Sequence, residues 1–240
     1  MWWSLKSKSF FISRFFEACN RLLDFVGPRI CPGCGSFVYD DGIFGWCRDC
    51  FDRLPRIVGN ICRRCGIPIH GDSGENALCQ ECLMEEPPFE ELRSACFYEG
   101  CIAEAIKGFK FYGRLSCLYP LVGLLDECYR WHFQDKDIHL VVPVPLHRKR
   151  LISRGFNQSA LLAGWLSKRL QLACGKNVLV RVKNTVPQVK LSGKERRRNL
   201  RRAFALSDKG LMAVKDRNVL VVDDVVTTGT TIREVARVLG

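Results

Sequence analysis

The sequence predicts an α/β domain with a parallel sheet flanked by helices, preceded by a small cysteine-rich module. Eight of the 14 cysteines form C-x-x-C pairs in the first third of the chain. Beyond residue 92, apolar stretches of strand length alternate with longer stretches of helical periodicity. The stretch "NVLVVDDVV" (218–226) begins with almost unbroken apolar residues, which indicates a strand buried on both faces, as in a parallel sheet covered by helices.

Composition and charge indicate a globular protein whose surface attracts phosphate groups. The chain has 240 residues, 47% of them hydrophobic, and a formal net charge of +12. Six basic residues fall within 193–202. No apolar run approaches the ~20 residues of a membrane-spanning helix, and charges interrupt residues 1–28 too often for a signal peptide. We therefore expect a cytoplasmic protein.

The N-terminal segment, residues 1–28, is aromatic and basic. This pattern favours an amphipathic helix that packs on the body of the protein. The alternative is a peripheral contact between this helix and a membrane surface.

The cysteine-rich module, assigned to residues 29–84, contains a repeated pattern. "CPGCG" matches "CRRCG", and "WCRDC" matches "LCQEC". Gly35 and Gly66 follow the second cysteine of a pair, where a positive φ lets backbone N–H groups point at sulfur. Four thiolates complete a structural zinc site, so the repeat favours a double zinc ribbon with two ions bound by sequential pairs. The predicted ligands are Cys31, Cys34, Cys47 and Cys50 for one ion, and Cys62, Cys65, Cys79 and Cys82 for the other.

Three alternatives for these cysteines stay open. The pairs could interleave between the two ions, His70 could replace one thiolate, or a single C-x-x-C could be a redox motif. Four thiolates per ion leave no open coordination position, so we expect structural ions that replace a core too small to form on its own. The remaining cysteines are predicted to be small buried hydrophobes.

The second domain, assigned to residues 92–240, follows an acidic and proline-containing linker, "MEEPPFEEL" (84–92). Periodicity and β-branched residues predict its elements in order. The predicted strands are 95–100, 139–146, 177–182 and 218–222, and the predicted helices are 101–111, 118–133, 155–172 and 230–239.

The loop at 223–231 follows the last predicted strand, and ligands of parallel sheets bind at the carboxyl ends of strands. Hydroxyl groups and backbone N–H groups at a helix N-terminus suit a phosphate. Asp223 and Asp224 would repel that phosphate and instead accept hydrogen bonds from ribose hydroxyls. The loop therefore predicts a ribose 5-phosphate ligand. Its predicted phosphate-binding residues are Thr227, Thr228, Gly229, Thr230 and Thr231.

These motifs together carry a family resemblance. "VLVVDDVVTTGTT" resembles the 5-phosphoribosyl 1-pyrophosphate (PRPP) binding motif of type I phosphoribosyltransferases. With "CPGCG", "FYEG", "AIKGFKFYG", "VVPVPLHRKRLISRGFNQS" and "RRRN", nearly the entire chain resembles the ComF/GntX-like family of competence-associated proteins. The resemblance implies a type I phosphoribosyltransferase-like sheet and PRPP bound with Mg²⁺. The family continues into a last strand after the helix 230–239, so we expect a sheet one strand short.

The resemblance also implies roles for basic and polar residues elsewhere. The loop after "VPVP" faces pyrophosphate in this fold, which makes Arg154, Asn157 and Gln158 candidates; the alternative is a solvated basic turn with Asn157 as a helix cap. Lys107 and Lys110 share a helical face and are weaker candidates for phosphate oxygens, with exposure to water as the alternative.

The segment 183–204 is basic, lacks periodic hydrophobes and is too long for an ordinary connection. Gln188, Arg196 and Asn199 match family positions within it. We interpret it as a mobile loop that orders over a bound polyanion; the alternative is a charged surface loop.

Two functions of different classes follow. The first is a phosphoribosyltransferase with an unidentified acceptor, in which the catalytic residues are Asp223, Asp224, Arg154 and Arg196. The second is a protein of the competence machinery that binds single-stranded DNA during uptake, without turnover, through its basic surface and aromatic side chains. Those aromatic residues are Trp131, Phe156 and Trp165.

Overall fold

A computed structural model describes residues 29–38, 42–69, 71, 74, 76–183 and 200–240. The predicted helix at 1–28 lies outside these ranges. Within them, no helix is both long and apolar enough to cross a membrane. The strands are β1 (Arg29–Ile30), β2 (Phe37–Val38), β3 (Leu140–Pro143), β4 (Ala173–Cys174), β5 (Leu179–Arg181), β6 (Phe204–Leu206) and β7 (Val219–Val222). The α-helices are α1 (Arg48–Asp52), α2 (Gln80–Met84), α3 (Gly100–Phe111), α4 (Leu118–His132), α5 (Arg148–Arg154), α6 (Gln158–Leu170), α7 (Asp208–Val214) and α8 (Thr230–Leu239).

The α/β domain is built on a parallel sheet in the order β4-β3-β7. The central strand β3 is fully buried, because helices and neighbouring strands cover it on every side. Its pairing with β7 runs from Leu140 opposite Val219 to Pro143 opposite Val222. The two strands therefore end at the same level, which brings the loops that follow them to one edge of the sheet.

Alternate residues of β3 face two separate hydrophobic cores, as the pleat of a strand requires. Val141 faces the first core, whereas Leu140 and Val142 face the second. The first core includes Ile102, Ile106 and Phe109 of α3, Leu121 and Leu124 of α4, and Leu162 and Leu166 of α6. The second includes Val178, Leu179, Leu200, Phe204, Val214, Ile232 and Val235.

The cysteine-rich module packs directly onto the first core. Trp46 is completely buried in that core together with Cys31 and Cys50. The indole nitrogen of Trp46 donates a hydrogen bond of 3.4 Å to the carbonyl of Pro120 in α4. The module and the α/β domain thus share apolar side chains, and neither has a complete core without the other.

The predicted strand at 95–100 is wrong. The segment forms only an isolated bridge between Cys96 and Arg56, with a hydrogen bond of 2.8 Å from the Phe97 nitrogen to the Pro55 carbonyl. Its partner is a short stretch of the cysteine-rich module, and α3 begins at Gly100, so neither side is long enough to continue a ladder.

The prediction that the 218–222 strand is buried on both faces is only partly correct. Val222 is buried, but Val219, Leu220 and Val221 are half-buried. In the described part of the chain β7 pairs with β3 alone and forms an edge of the sheet. A cavity of about 440 Å³, lined by apolar side chains that include Leu124 and Leu162, lies against this strand.

The segment predicted as a linker is packed against the protein. Phe89 and Leu92 contact the second core, and the Arg233 guanidinium lies 5.9 Å from the centre of the Phe89 ring. The Leu92 nitrogen also donates a hydrogen bond of 2.7 Å to the carbonyl of Arg64 in the cysteine-rich module. This segment therefore holds the module and the α/β domain together.

The contact between the module and α4 is tested by Gly123→Ala. A Cβ at Gly123 would lie 2.8 Å from Cγ of Phe44, so the ring has to move, at a cost of about 1–3 kcal/mol. The gain in helix propensity is only ~1 kcal/mol. We expect a lower free energy of unfolding in urea.

The matched control is Gly164→Ala in α6, where the nearest atom is the flexible Cε of Lys176 at 3.3 Å. This variant is expected to gain up to ~1 kcal/mol of stability through helix propensity. Equal stability gains in both variants would show that Phe44 does not rest on α4.

Candidate functional site

The loop from Asp223 to Gly229 connects the end of β7 to the start of α8, as the sequence predicts. Gly229 has φ 67°, a left-handed conformation that residues with a side chain seldom adopt, and it precedes the first turn of α8. The glycine therefore allows the chain to turn sharply into the helix, and the backbone N–H groups of the first helical turn lie beside the loop.

Asp223 is held inside the protein by two hydrogen bonds. The hydroxyl of Ser159 in α6 donates to Oδ1 at 2.9 Å, and the backbone nitrogen of Asp224 donates to the same oxygen at 2.9 Å. Burial, and secondarily the charge of Asp224, raise the pKa of Asp223 from 3.8 to about 7, although both hydrogen bonds lower it. Asp223 therefore changes charge near neutral pH.

Asp224 forms an ion pair with Lys110 at the end of α3. The Lys110 Nζ lies 2.9 Å from Oδ1 of Asp224, and the two side chains are only 20% and 11% exposed. Burial removes most of the water that would screen this pair, so the attraction between the two charges is stronger than at an exposed position. Helix α3 is thus connected to the loop through an ion pair, and α6 through Ser159.

The threonines of the loop fall into two groups. Thr227 and Thr228 are exposed, whereas Thr230 is buried, and the hydroxyls of Thr228 and Thr230 lie 2.8 Å apart. Thr231 is half-buried on α8. The predicted phosphate-binding residues of the loop thus lie at the turn into α8, with the hydroxyl of Thr230 beside that of Thr228.

Residues of the predicted pyrophosphate loop lie at the junction of α5 and α6. Arg154 donates to the side-chain oxygen of Gln158 at 3.4 Å, and Gln158 is fully buried and donates to the carbonyl of Lys110 at 3.4 Å. Asn157 donates to the carbonyl of Val144 at 3.1 Å. Gln158 and Asn157 thus fix the backbone around the site, while Arg154 is the charged group among the three candidates.

Lys107, the other lysine of α3 named from the sequence, points to the surface. Its Nζ pairs with Glu104 at 2.8 Å, and its side chain is 46% exposed. Lys110 is the lysine that reaches the loop. The predicted mobile-loop residues Gln188, Arg196 and Asn199, like His70 of the cysteine-rich module, lie outside the described residues.

Ser159 is the residue that the sequence did not single out. It lies directly after Asn157 and Gln158 in the segment "FNQS", so its place in a conspicuous motif was the available signal. Its role follows from its hydrogen bond to Asp223, a residue 64 positions away along the chain. No spacing rule within one element predicts such a contact.

The eight cysteines form two four-sulfur clusters, and the pairing is sequential. In each cluster the four sulfur atoms lie within 4.8 Å of one another. A zinc–sulfur bond of about 2.3 Å implies sulfur separations of about 3.8 Å in a tetrahedral site. The observed separations of 3.7 Å (Cys34 to Cys47) and 3.5 Å (Cys65 to Cys79) match that value. Both clusters fit a structural zinc ion.

The turns around these clusters have the predicted positive φ angles. Gly35 and Gly66 have φ of 79° and 68°, and each donates its N–H to the carbonyl of the first cysteine in its pair. In the second cluster the Cys79 nitrogen donates to the sulfur of Cys62 at 3.3 Å. Such N–H donation stabilises a thiolate that binds a metal.

Cys50→Ser tests the first zinc site. Loss of one of four thiolates is expected to reduce the zinc content from two ions per chain to one, and to lower the thermal midpoint, because Cys50 also belongs to the first core. Mass spectrometry of the metal content measures the first effect.

The matched control is Cys174→Ser in β4, a half-buried cysteine outside both clusters, which should retain two ions. Two zinc ions in Cys50→Ser would contradict the assignment of Cys50 as a ligand.

Asp223→Asn tests the ionisation of Asp223. The pKa of Asp223 is about 7 in the folded state and ~3.9 in an unfolded chain. Between these two pH values the folded state therefore retains a proton that the unfolded chain has lost. Ionisation of Asp223 therefore lowers stability as pH rises from about 4 through about 7. We expect the free energy of unfolding of Asp223→Asn, relative to the wild type, to increase from about pH 5 to about pH 8.

Urea unfolding at both pH values measures this difference. Asp208→Asn, an exposed position on α7, is the control and should follow the wild type. Parallel profiles for wild type and Asp223→Asn would contradict the raised pKa.

Comparison with known proteins supports both parts of this architecture. The double zinc ribbon domain model matches residues 22–84, and the phosphoribosyl transferase domain model matches residues 157–240. No solved structure matches the chain.

Three relatives of the chain have names connected with DNA or competence. The chain is 33% identical to the DNA utilization protein YhgH of Escherichia coli (strain K12), over 82% of this chain and 85% of that protein. It is 33% identical to Competence protein F of Haemophilus influenzae, over 80% and 90% of the two chains. It is 28% identical to Competence protein ComFC of Bacillus subtilis, over 80% and 77%.

Three features agree with the family resemblance of the sequence. They are the order of the two matched domains, the sequential four-cysteine clusters and the parallel sheet that ends in the loop 223–231. The chain therefore belongs to the ComF family of competence-associated proteins, in which a double zinc ribbon accompanies a phosphoribosyltransferase domain.

Proposed function

We propose that the chain binds PRPP, or a related ribose 5-phosphate ligand, at the loop 223–231 and transfers the phosphoribosyl group to a nitrogen acceptor. The observation that carries this proposal is the position of the loop. Two carboxylates and a threonine-glycine turn follow β7 at the edge of the sheet where β3 also ends. Ligands of parallel sheets bind at this edge.

The phosphate end of the ligand fits the turn into α8. Thr227 and Thr228 are exposed and offer hydroxyl groups, and Gly229 leaves the backbone open to a close approach. The ten-residue helix α8 directs the positive end of its dipole at the same place. A phosphate here would receive hydrogen bonds from both hydroxyl and backbone donors.

The carboxylates fit the sugar end. Ribose hydroxyls are hydrogen-bond donors, and an ionised carboxylate accepts only. Asp224 is partly accessible, and its ion pair with Lys110 holds the carboxylate in place before a ligand arrives. Asp223 already accepts hydrogen bonds from Ser159 and from the backbone of Asp224, and it is ionised above a pH of about 7. We therefore assign direct contact with the sugar to Asp224 and support of the loop backbone to Asp223.

The leaving group fits the basic segment around α5. Burial and the neighbouring charge of Arg154 lower the pKa of Arg150, which indicates that positive charges are crowded there. Pyrophosphate would relieve this repulsion. Transfer breaks the bond between C1 and the pyrophosphate oxygen and forms a bond from C1 to the acceptor nitrogen, which then loses its proton. Positioning and charge stabilisation are sufficient for this step, without a protein nucleophile.

Mg²⁺ bound with PRPP agrees with the donor chemistry of the site. Carboxylate oxygens are the protein ligands that Mg²⁺ prefers, and Asp224 and Asp223 supply them. When bound, Mg²⁺ would neutralise charge on the pyrophosphate. Arg196, Gln188 and Asn199 lie outside the described residues, and their binding of the same polyanion stays a prediction from the sequence.

A second candidate function, binding of single-stranded DNA, is favoured by the names of the relatives and by exposed aromatic residues. Trp131 is 80% exposed and Trp165 is 49% exposed, which leaves their rings open to stacking with bases. Phe156 packs against Phe109 in the first core, with ring centres 5.6 Å apart, and is therefore the weakest of the three candidates.

Calorimetry with PRPP and Mg²⁺ tests the first proposal. The double variant Asp223→Asn/Asp224→Asn is expected to lose measurable binding heat, because it removes the sugar-binding charge of Asp224, which is also the partner of Lys110, and the charge of Asp223 that supports the loop. A loss of at least about tenfold in affinity is expected from a charge-assisted hydrogen bond.

The matched control is Asp135→Asn/Asp137→Asn, which removes two exposed carboxylates and changes the net charge equally. This control should bind PRPP like the wild type. Equal heats in all three proteins would contradict the assignment. Oligonucleotide binding that weakens with salt and is indifferent to PRPP would favour the second candidate.

A further inference from the structure

Helix α5 lies on the surface of the α/β domain. Among the α-helices of the described residues, it is the one that has no buried residue. Two adjacent aliphatic residues of this helix face solvent, since Leu151 is 40% exposed and Ile152 is 73% exposed. Single exposed apolar residues are common on protein surfaces, but an adjacent pair on an unburied helix calls for a reason.

The two sides of α5 differ. Arg150 and Arg154 are four positions apart, so they share a face of the helix, and both are half-buried. At about 100° per residue, Ile152 lies opposite that face, and Arg148 and Lys149 lie on either side of Ile152. The side of α5 that carries Ile152 is therefore separate from the arginines assigned to the leaving group.

The exposed side of α5 combines positive charge with aliphatic surface. We call it the outer face, and its four exposed residues are Arg148, Lys149, Leu151 and Ile152. The sequence has no acidic residue from position 138 to position 194, so this long segment carries no charge that offsets the basic side chains. The outer face thus complements a surface that is negatively charged outside and apolar just beneath, as an anionic phospholipid layer is.

We propose that the outer face of α5 is a peripheral membrane contact that docks on anionic phospholipid. Arg148 and Lys149 contact the headgroups, and the two aliphatic side chains enter the boundary between headgroups and acyl chains. A nucleic acid would use the basic groups alone, because an aliphatic side chain neither pairs with phosphate nor stacks on a base as an aromatic ring does. The aliphatic pair is therefore the observation that selects a lipid surface.

The contact is weak and reversible because the outer face is small. Helix α5 has seven residues, and one basic residue near an anionic membrane typically strengthens binding about fivefold. In this arrangement Arg150 and Arg154 face away from the lipid. The membrane contact is therefore independent of the proposed transfer and does not compete with pyrophosphate for the same arginines.

Helix α7 provides the contrast that makes this proposal specific. It also has seven residues, and it also presents two adjacent apolar side chains, Leu211 and Met212, which are 62% and 75% exposed. Its charged residues are one acidic and one basic, Asp208 and Lys209, so their charges cancel. Apolar exposure is thus common to both helices, and only α5 combines it with positive charge.

Co-sedimentation of the full chain with vesicles tests the contact. One set of vesicles contains phosphatidylcholine alone, and in the other set phosphatidylglycerol replaces a third of it. We expect the wild type to bind the anionic vesicles at least about tenfold more tightly than the neutral ones, and to lose affinity as salt is added. Leu151→Ser/Ile152→Ser should weaken binding to the anionic vesicles at least about fivefold, whereas Leu211→Ser/Met212→Ser should stay within about twofold of the wild type.

A second pair of variants tests the charge of the outer face. Arg148→Gln/Lys149→Gln is expected to weaken binding to anionic vesicles at least about tenfold. Lys215→Gln/Arg217→Gln changes the net charge equally at exposed positions after α7, and it should stay within about twofold of the wild type. All variants should keep the thermal midpoint and the zinc content of the wild type, because the replaced side chains are exposed. Residues 1–28 are the same in all these proteins, so differences in binding belong to the outer face.

Three results would overturn the membrane contact. These are no binding of the wild type to anionic vesicles, unchanged binding in Leu151→Ser/Ile152→Ser, or an equal loss in Leu211→Ser/Met212→Ser. A single-stranded decadeoxynucleotide forms the last arm, and Leu151→Ser/Ile152→Ser should bind it like the wild type. A loss of oligonucleotide binding in this variant equal to its loss of vesicle binding would assign the outer face to a nucleic acid and overturn the proposal.

Discussion

The candidate site depends on the way in which two adjacent, half-buried carboxylates are compensated. Asp223 receives hydrogen bonds from Ser159 and from the backbone, and Asp224 receives the ammonium group of Lys110. Unpaired, two acidic groups in so little water would be strongly destabilising. Because the compensating groups come from α6 and α3, the loop after β7 is fixed only when both helices are in place. The interactions that hold the candidate site together therefore also connect it to the surrounding helices.

The zinc ribbon contributes to this arrangement through the first core. Trp46, Cys31 and Cys50 lie in the same cluster as Ile106 and Phe109 of α3. Metal coordination fixes the backbone of the ribbon, and the ribbon in turn covers apolar side chains of α3 and α4. The contribution of zinc thus extends beyond its four ligands, because part of the hydrophobic core of the α/β domain is made of ribbon residues.

Much of this architecture was accessible from the sequence because it depends on local patterns. The C-x-x-C repeats predicted the cysteine clusters. The change from an apolar strand to two aspartates and a threonine-glycine turn predicted the loop after β7. Each of these sequence patterns lies within a few consecutive residues. The sequence could not choose between Lys107 and Lys110, because both lie on one face of α3 and the choice depends on where the helix ends relative to β7. Tertiary neighbours likewise determine the contact of Ser159 with Asp223, the failure of the predicted strand at 95–100 and the half-buried state of β7. The periodicity within one element carries no information about those neighbours.

Helix α3 has a consequence for any attempt to work with the α/β domain alone. It is a 12-residue helix, about 18 Å long, and it spans from the ribbon interface to the ion pair with Asp224. Cutting the chain at residue 92 to obtain a minimal domain would remove the ribbon side chains from the core that contains Ile102 and Ile106, and would expose part of that core. Such a fragment would be prone to self-association, and a missing activity in it would report on a damaged scaffold rather than on the chemistry of the loop.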